Sequence, residues 1–311
     1  MAKLRNKDLI AVSDLSKEEI QIVLNLAKFM KNRAKKGLTP KLLKGKTLAM
    51  IFEKPSNRTR VSFEVGMWQL GGLAINLDAA GLRFGKGETI PDIARTLSRY
   101  VDGIVIRTFD HENVYKLARY ASIPVINGLT DLLHPCQGLT DIFTIWEKKG
   151  KLKGIKVAYI GDGNNVCHSL MMAAAKTGME FIAACPKGYE PNKKVLDKAI
   201  EVSEKSKATV LVINDPKDAV VGADVIYTDV WTSMGQEKEE GQRMKAFKEF
   251  QVNNSLVQRA KKDVIVLHCL PAHRGQEITD DIMDSKYSAV FDQAENRLHV
   301  QKAILALLME D

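Results

Sequence analysis

The chain has 311 residues, which is long for one compact core and predicts two domains of about 150 residues each. Hydrophobic residues make up 45% and charged residues 27%, as in ordinary globular proteins, and the most apolar run (264–267) is far too short to cross a bilayer. The beginning of the chain shows no secretory signal and the four cysteines are widely scattered, so we expect a cytoplasmic protein with no membrane partner.

The net charge of +8 has two interpretations, a solvated lysine-rich surface or attraction of an anionic partner. The lysines are spread along the chain, and no arginine-rich tail or basic stripe with interleaved aromatic residues is present. We therefore expect a small anionic substrate and no nucleic acid. No CxxC pair or other metal-ligand cluster occurs, so we expect no metal ion and no cofactor.

The predicted elements begin with a helix and continue as an alternation of short β-type runs and helical stretches. Ser16 followed by Glu19 is a capping box, which predicts a helix through about Met30. Strands are predicted at 48–52, 73–77, 103–109, 124–127, 156–161, 180–185, 209–213, 224–229 and 264–270. Helices are predicted between most of them, for example at 92–100, 112–120, 137–149, 165–177 and 192–205, and a last helix is predicted within 294–309.

This alternation predicts an α/β fold with two doubly wound domains, each built on a central parallel sheet flanked by helices. A polar stretch at 147–154 suggests the boundary, which gives one domain over 1–147 and a second over 148–292. The C-terminal helix, 293–311, can pack on either domain as far as its own residues indicate.

A cluster of hydroxyl and guanidinium groups follows the first strand, where Ser56, Asn57, Arg58 and Thr59 open a helix. A helix N-terminus presents unpaired N–H groups and a partial positive charge, so this cluster predicts a phosphate site. The alternative is a helix cap with solvated arginines. The stretch lacks the P-loop pattern, so a nucleoside triphosphate is not implied.

Further polar residues stand at or near the ends of later strands. Arg107 closes the third strand, and it belongs either to the same anion site or to a structural ion pair. His134 and Gln137 both offer donors to a carbonyl oxygen, as acyl-transfer sites require, although a single histidine is also often structural.

Gly161 and Gly163 follow a strand and precede a helix, which suggests dinucleotide binding. The third glycine of that fingerprint is missing, and the next strand runs into Cys185 and a proline where an acidic residue would be expected. We regard a dehydrogenase as a rival of low weight. Asn164 and Asn165 are better suited to the carboxylate of a small ligand.

Two strands of the second half also end in reactive groups. Asp229 precedes Ser233, Met234 and a long polar run, which suggests an ammonium site under a mobile lid, with a solvated loop as the alternative. Cys269 stands at the end of the ninth predicted strand, either in a site or as a small buried residue.

Five segments together resemble one family, and they occur in the family's order over most of the chain. They are FEKPSNRTRVSFE, HPCQ, GDGNN, DVWTSMGQE and HCLPAHRGQE, and they resemble the aspartate/ornithine carbamoyltransferase family. The resemblance implies a carbamoyl-phosphate domain, an ornithine domain and a last helix that returns to the first domain. It also implies a homotrimer or a multiple of trimers, and the transfer of a carbamoyl group to L-ornithine to give citrulline and phosphate.

By motif position, the resemblance assigns roles to individual residues. Residues implied to hold the phosphate are Ser56, Asn57, Arg58, Thr59 and Arg107. Those implied at the carbamoyl group are His134, Gln137, Cys269, Leu270 and Arg297, with Arg107, His134, Gln137 and Cys269 as the catalytic set. Those implied to bind ornithine are Asn165, Asp229, Ser233 and Met234.

Two positions depart from the family pattern, and the acceptor has alternatives. Asn57 replaces the usual threonine, and Arg83 stands where many relatives carry glutamine in a loop that reaches a neighbouring subunit, so its placement in the carbamoyl-phosphate site is an expectation. Putrescine or another amine is the alternative acceptor, although the Ser233-Met234-Gly235 sequence favours free ornithine. An RNA-binding or anion-binding protein without catalysis is the alternative of another class.

Overall fold

In a computed structural model of the chain, which describes residues 4–78 and 87–310, the polypeptide divides into two compact units. Unit 1 comprises Met1–Thr140 and Glu295–Asp311, and unit 2 comprises Asp141–Ala294. Each unit contains a parallel sheet with helices around it, which confirms the predicted α/β fold with two doubly wound domains. The larger part of the last helix belongs to unit 1, as the family resemblance implied.

Unit 1 is built on four parallel strands in the order β2-β1-β3-β4. The strands are β1 (Thr47–Phe52), β2 (Leu73–Asp78), β3 (Gly103–Arg107) and β4 (Val125–Leu129). The helices are α1 (Lys17–Ala34), α2 (Asn57–Leu70), α3 (Ile90–Tyr100), α4 (His111–Tyr120) and the first turns of α5 (Pro135–Lys149), with a short 3-10 helix at Val12–Asp14.

Unit 2 is built on five parallel strands in the order β7-β6-β5-β8-β9. The strands are β5 (Lys156–Ile160), β6 (Glu180–Ala184), β7 (Thr209–Ile213), β8 (Val225–Thr228) and β9 (Ile265–His268). The helices are α6 (Asn165–Thr177), α7 (Lys193–Ser206), α8 (Pro216–Ala219), α9 (Glu240–Ala246), α10 (Asn254–Val257), α11 (Asp280–Met283) and the start of α12 (Val290–Met309).

Local sequence signals explain where several of these helices begin and end. At the start of α1 the Ser16 hydroxyl accepts the Glu19 N–H (3.2 Å) and the Glu19 carboxylate accepts the Ser16 N–H (2.7 Å), which confirms the predicted capping box. At the start of α2 the Ser56 hydroxyl accepts the Thr59 N–H, and Gly71 ends the helix with a φ of 88° that favours glycine.

The strand order creates one switch point in each sheet. In unit 1, β1 has β2 on one side and β3 on the other, so successive crossovers leave β1 in opposite directions. In unit 2, β5 has β6 and β8 on its two sides in the same way. Ligands of open α/β sheets bind beyond the carboxyl ends of the strands at such points, so β1 with β3 and β5 with β8 define where sites should lie.

The segment after β8 differs from its prediction as a polar mobile loop. It forms a 3-10 helix at Glu237–Glu239, then α9, then another 3-10 turn at Lys248–Phe250. The Phe247 side chain is fully buried in the core of unit 2 and stacks with Trp231 at 6.0 Å between ring centroids. These two aromatic side chains are apolar anchors, which the charged residues around Phe247 obscured in the sequence.

No helix within 4–78 or 87–310 has both the length and the apolar character needed to span a bilayer.

In unit 1, α12 carries a buried lysine against α2. Lys302 packs beside Gly66, its ammonium donates to the Gln69 side-chain oxygen (2.7 Å), and burial lowers the pKa of Lys302 to about 8. In an unfolded chain the pKa of lysine is about 10.4, so between these values the unfolded state binds more protons and the free energy of unfolding rises with pH. Below about pH 8 Lys302 is charged in the folded protein as well, and the whole cost of burying that charge then lowers the free energy of unfolding.

We therefore expect Lys302→Met to be more stable than the wild type at pH 7 by about 1 to 2 kcal/mol. That advantage should shrink as the pH is raised from about 8 towards 10, measured as the difference in urea midpoint between the two proteins. Lys44→Met, at an exposed lysine of unit 1, is the matched control and should show no such pH dependence. A Lys302→Met difference that stays constant with pH would contradict the burial of a charged lysine.

Candidate active site

The predicted phosphate cluster lies at the switch point of unit 1, where β1 runs into α2. The N–H groups of the first turn of α2 face this end of the sheet, and Ser56 is its cap. Thr59 is buried, Ser56 and Arg58 are half-buried, and Asn57 is exposed. Arg58 also lies close enough to His134 for its charge to affect the pKa of that ring. The helix terminus and guanidinium together make a site for an anion.

Arg297 of α12 joins three of the predicted residues in unit 1. Its guanidinium donates to the Thr59 hydroxyl (2.8 Å), to the Gln137 side-chain oxygen and to His134 Nε2 (3.3 Å). Arg297, Thr59, His134 and Gln137 are all buried, with at most 4% of any of them exposed. A buried guanidinium requires such acceptors because an unpaired charge in this setting is costly.

His134 is held uncharged. Burial, followed by the positive charges of Arg297, Arg107 and Arg58, lowers the pKa of His134 well below its usual range. Since Nε2 accepts from Arg297, the single proton of the neutral ring resides on Nδ1. The ring is therefore suited to hydrogen bonding with a carbonyl group and adds no charge to the site.

A second layer of contacts joins the ends of the strands around this cluster. Arg107, half-buried at the end of β3, accepts the Glu53 N–H at its carbonyl (2.8 Å). Lys54 forms an ion pair with Asp131 and lies 4.3 Å from the centroid of the Phe109 ring. Lys54, two residues before Ser56, is thus engaged with Asp131.

In unit 2 the switch point between β5 and β8 is occupied by Asp229. Its Oδ2 accepts the side-chain N–H of Asn164 (2.7 Å), and its Oδ1 accepts the Cys269 thiol (3.0 Å). Asp229 is 5% exposed and Cys269 is half-buried, whereas the other three cysteines are fully buried. The structure therefore brings Asp229 and Cys269, which are 40 residues apart, into direct contact.

The backbone after β9 is fixed by a buried pair. His268 Nε2 contacts the Glu277 carboxylate (3.0 Å), and His268 Nδ1 accepts the Leu270 N–H (2.8 Å). Leu270 has a φ of 63°, in the left-handed region that only a strongly constrained non-glycine residue adopts. The pair between His268 and Glu277 supplies that constraint beside Cys269.

One cluster has the composition of a metal site. Asp229, His268 and Cys269 each place a ligand atom within 4.8 Å of the others. Both ring nitrogens of His268 are engaged, with Glu277 and with the Leu270 N–H. A metal ion at this cluster would have to displace one of those hydrogen bonds or take only two of the three ligands.

The remaining residues predicted for the second ligand lie on the same side of unit 2. Asn165 is the first residue of α6 and is half-buried. Ser233 donates its N–H to the Gln236 side chain (3.0 Å), which closes the turn, and Met234 is 46% exposed. The turn is anchored by Arg243, which donates to the Trp231 carbonyl (3.0 Å).

Gly163 allows two segments of the backbone to approach each other closely. A Cβ at this residue would lie 2.3 Å from the backbone nitrogen of Pro191, so the close approach of residues 190–191 requires glycine. The first N–H groups of α6, at Val166 and Cys167, are bound by the Asn164 side chain. Both features account for the glycine-rich turn without a dinucleotide.

The sequence gives an incomplete or different account of three residues. Asn164 was associated with a ligand carboxylate, yet its side chain binds Asp229. Arg243 stands in a run of charged residues that resembles a solvated surface, and nothing in that run indicates burial. Arg83, expected near the phosphate, lies outside the described residues.

The fold and these two sites define an α/β protein with an arginine-rich anion site in one sheet and a carboxylate–thiol site in the other. Two family models match the chain: aspartate/ornithine carbamoyltransferase, carbamoyl-P binding domain, over residues 7–147, and the Asp/Orn binding domain of the same family over residues 153–308. The chain belongs to the aspartate/ornithine carbamoyltransferase family.

Individual relatives match this chain over almost its full length. The ornithine carbamoyltransferase of Anoxybacillus flavithermus is 58% identical, with 99% of this chain and 98% of the relative covered, and that of Pyrococcus horikoshii is 57% identical with the same coverage. The solved ornithine carbamoyltransferase of Pyrococcus furiosus superposes with a TM-score of 0.97 at 56% identity, covering 99% of each chain.

His134 should not titrate where ordinary histidines do. In ¹⁵N-labelled protein, the ring signals of His134 are identified as those that disappear in His134→Asn. In the wild type we expect these signals to keep the chemical shifts of a neutral imidazole between about pH 5.5 and 8, because burial and three guanidiniums oppose protonation. The signals should also show the proton on Nδ1. A midpoint near pH 6.5 for these signals would contradict the uncharged ring.

Proposed function

We propose that this protein transfers the carbamoyl group of carbamoyl phosphate to the side-chain amine of L-ornithine, giving L-citrulline and phosphate. The observation that carries the proposal is the buried set of Arg297, His134, Gln137 and Thr59 beside the N-terminus of α2. It combines phosphate-binding groups with donors for a carbonyl oxygen, as a carbamoyl phosphate requires. The names of the relatives from Anoxybacillus and Pyrococcus support the same acceptor.

In the donor half, the phosphate would be held by the start of α2 and by arginines. Ser56, Asn57 and Thr59 would offer N–H and hydroxyl groups, and Arg58 and Arg107 would offer charge-assisted hydrogen bonds. The same groups bind the phosphate more strongly as it departs, because its negative charge grows when the carbon–oxygen bond breaks.

The carbamoyl oxygen would be polarised by His134, Gln137 and Arg297. A neutral imidazole and an amide add hydrogen-bonding groups, while the guanidinium carries the positive charge that opposes the developing oxyanion. Preorganised groups of this kind contribute on the order of 3 kcal/mol each to lowering the barrier in comparable sites.

In the acceptor half, Asp229 would bind the α-amino group of ornithine. Asn165, Ser233 and Met234 would complete the site around the α-carboxylate. Cys269 and the Leu270 backbone would lie at the carbamoyl nitrogen and the attacking amine. The Asp229 carboxylate would then lie where the α-amino group of ornithine carries its positive charge.

The reacting amine must lose a proton before it attacks. Its pKa should be close to that of lysine, about 10.4, so the site has to select the neutral form. The amine nitrogen then bonds to the carbamoyl carbon, the bond from that carbon to the phosphate oxygen breaks, and the departing phosphate accepts the second proton. The four cysteines are all thiols, which suits a reducing compartment, and we place the reaction in the cytoplasm.

We further propose that the chain assembles as a homotrimer or a multiple of trimers through unit 1. Unit 1 exposes large apolar side chains on two elements that pack together, α2 and the edge strand β2. They are Val61 (50% exposed), Trp68 (71%), Leu73 (59%) and Ile75 (40%). Exposed apolar groups of this size on one surface indicate an interface.

The reaction is tested with carbamoyl phosphate and, in turn, ornithine, putrescine, acetylornithine, lysine and aspartate, measuring phosphate and the ureido product. We expect kcat/KM for ornithine to exceed the others by on the order of 100-fold, because a polar site rejects acceptors that leave its groups unpaired. Inactivity with all five would overturn the proposal, particularly if the protein were retained on RNA in a salt-sensitive way. Preference for putrescine would replace the acceptor.

Two variants separate the half-sites in the same assay. Arg58→Gln should raise the KM for carbamoyl phosphate by about 10-fold or more, and Asp229→Asn should do the same to the KM for ornithine. Each should leave the other KM within a few-fold.

Trp68→Glu should reduce the oligomer to smaller species, since it places a charge in the proposed interface. Light scattering coupled to size exclusion should give three times the mass of one chain, or a multiple, for the wild type. Leu38→Glu, at an exposed apolar residue in neither α2 nor β2, is the control and should keep the wild-type mass. A monomeric wild type, or a Trp68→Glu protein of unchanged mass, would contradict the interface.

A further inference from the structure

The carboxylate of Asp229 is fixed on both of its oxygens within unit 2. Oδ2 accepts the Asn164 amide N–H at 2.7 Å, and Oδ1 accepts the Cys269 thiol at 3.0 Å. Asp229 is only 5% exposed, and the oxygens of a buried carboxylate need such donors in place of water. Its orientation is therefore set by these two neighbours.

Asn164 has its own orientation determined by three donors. Its side-chain oxygen accepts the N–H groups of Val166 (3.0 Å) and Cys167 (3.1 Å), and also the hydroxyl of Tyr159 (3.1 Å). Because three donors converge on it, this atom must be the amide oxygen, and the amide nitrogen must face Asp229. Asn164 is thus at once the cap of α6 and a donor to the carboxylate.

Tyr159 is a fully buried residue of β5 and stacks on Tyr227 of the neighbouring strand, with 5.6 Å between ring centroids. Burial, reinforced by the charge of Asp229, raises the pKa of Tyr159 well above its usual value. The hydroxyl therefore keeps its proton and remains a donor to Asn164. Tyr227 differs, because its hydroxyl accepts from Gln293 (3.0 Å).

We propose that Asn164 and Tyr159 are positioning residues for the acceptor amino acid: Asn164 holds the Asp229 carboxylate in the orientation that meets the α-amino group, and the Tyr159 hydroxyl holds Asn164. The inference rests on the proposed function in assigning the α-amino group to Asp229. Of the two adjacent asparagines, Asn165 alone would then bind the α-carboxylate, because the Asn164 side chain is bonded to Asp229. A carboxylate held in place before the substrate arrives loses less freedom on binding, which strengthens binding.

Asn164→Asp is the most direct test. Aspartate keeps the size and the helix-capping oxygen, but it replaces the donor to Asp229 with an acceptor. We expect the KM for ornithine to rise about 10-fold or more, the KM for carbamoyl phosphate to stay within about twofold, and kcat to change less than the ornithine KM. Tyr159→Phe should raise the ornithine KM by about two- to fivefold, since it removes one of three donors to Asn164.

Each variant has a matched control in the same unit. The Asn192 side chain caps α7 and accepts the N–H groups of Lys194 and Val195. Asn192→Asp therefore makes the same change at a helix cap that is bonded to its own helix and not to Asp229. Tyr227→Phe removes a buried hydroxyl from the stacked partner of Tyr159. Both controls should keep the ornithine KM within about twofold of the wild type.

A second measurement does not depend on turnover. Cys269 is the half-buried thiol, and a second carboxylate beside Asp229 should raise its pKa, so the rate of alkylation by iodoacetamide should reach its midpoint at a higher pH in Asn164→Asp than in the wild type. Asn192→Asp should leave the midpoint unchanged, and Cys269→Ser identifies the reacting group. Circular dichroism confirms that each variant is folded.

The outcomes separate the two proposals. Wild-type turnover of ornithine with an unchanged ornithine KM in folded Asn164→Asp and Tyr159→Phe would overturn the positioning role and leave the proposed function intact. Absence of ornithine turnover in the wild type would overturn the proposed function, and the alkylation midpoint would then decide whether Asn164 controls Asp229. If Asn164→Asp does not fold, the ornithine KM of Tyr159→Phe decides.

Discussion

The burial of Arg297 is the constraint on which the donor site depends. A guanidinium that is 4% exposed needs acceptors. Its acceptors are the Thr59 hydroxyl in α2, the Gln137 amide in α5 and the imidazole of His134 just before α5, all more than 150 residues earlier in the chain. The last helix therefore cannot leave unit 1 without exposing unpaired groups on α2 and α5. The packing of the last helix therefore supplies one of the arginines of the anion site.

The same helix carries an unusual amount of buried polar surface. Its apolar residues Val300, Ile304, Leu307 and Leu308 recur at helical spacing, and the first three are buried in the core. Asn296 and Lys302 are buried as well, and each has a hydrogen bond within unit 1, from Lys31 (2.7 Å) and to Gln69. Such a helix is specified by its polar contacts as well as by its apolar stripe, because each misplaced polar group would be left unsatisfied.

Most strands were predicted well because they are buried on both faces and so appear as continuous apolar runs, and the partly exposed edge strands β2 and β7 are apolar enough to show the same signal. β7 has the predicted limits, and the largest errors are two residues at a carboxyl end: β3 ends at Arg107 and not at 109, β4 at Leu129 and not at 127, and β9 at His268 and not at 270. Strand-end residues such as Asp229 could be predicted as a site because parallel strands end at one edge. Contacts made by side chains from distant segments could not be predicted: no periodicity links Asp131 with Lys54, or Asn164 with Asp229.

Arg243 shows most clearly why the segment after β8 was mistaken for a mobile loop. It is 6% exposed, contacts Asp162 (3.2 Å), donates to the Trp231 carbonyl and lies 4.9 Å from the centroid of the Tyr189 ring. Burial raises the pKa of Asp162 to about 6, while Arg243 acts in the opposite direction. The charged run of residues 237–245 gives no sign that one of its cations is an internal anchor.

The two half-sites differ in the sign of the charge that each unit presents. Unit 1 offers the N-terminus of α2 and the guanidinium of Arg297, whose three partners are neutral acceptors, so its net character suits a dianion. Unit 2 offers a carboxylate whose partners are an amide and a thiol, so its net character suits a cation. Because neutral groups orient Arg297 in unit 1 and Asp229 in unit 2, these contacts neutralise neither charge, as the proposed binding of an anionic donor and a cationic acceptor requires.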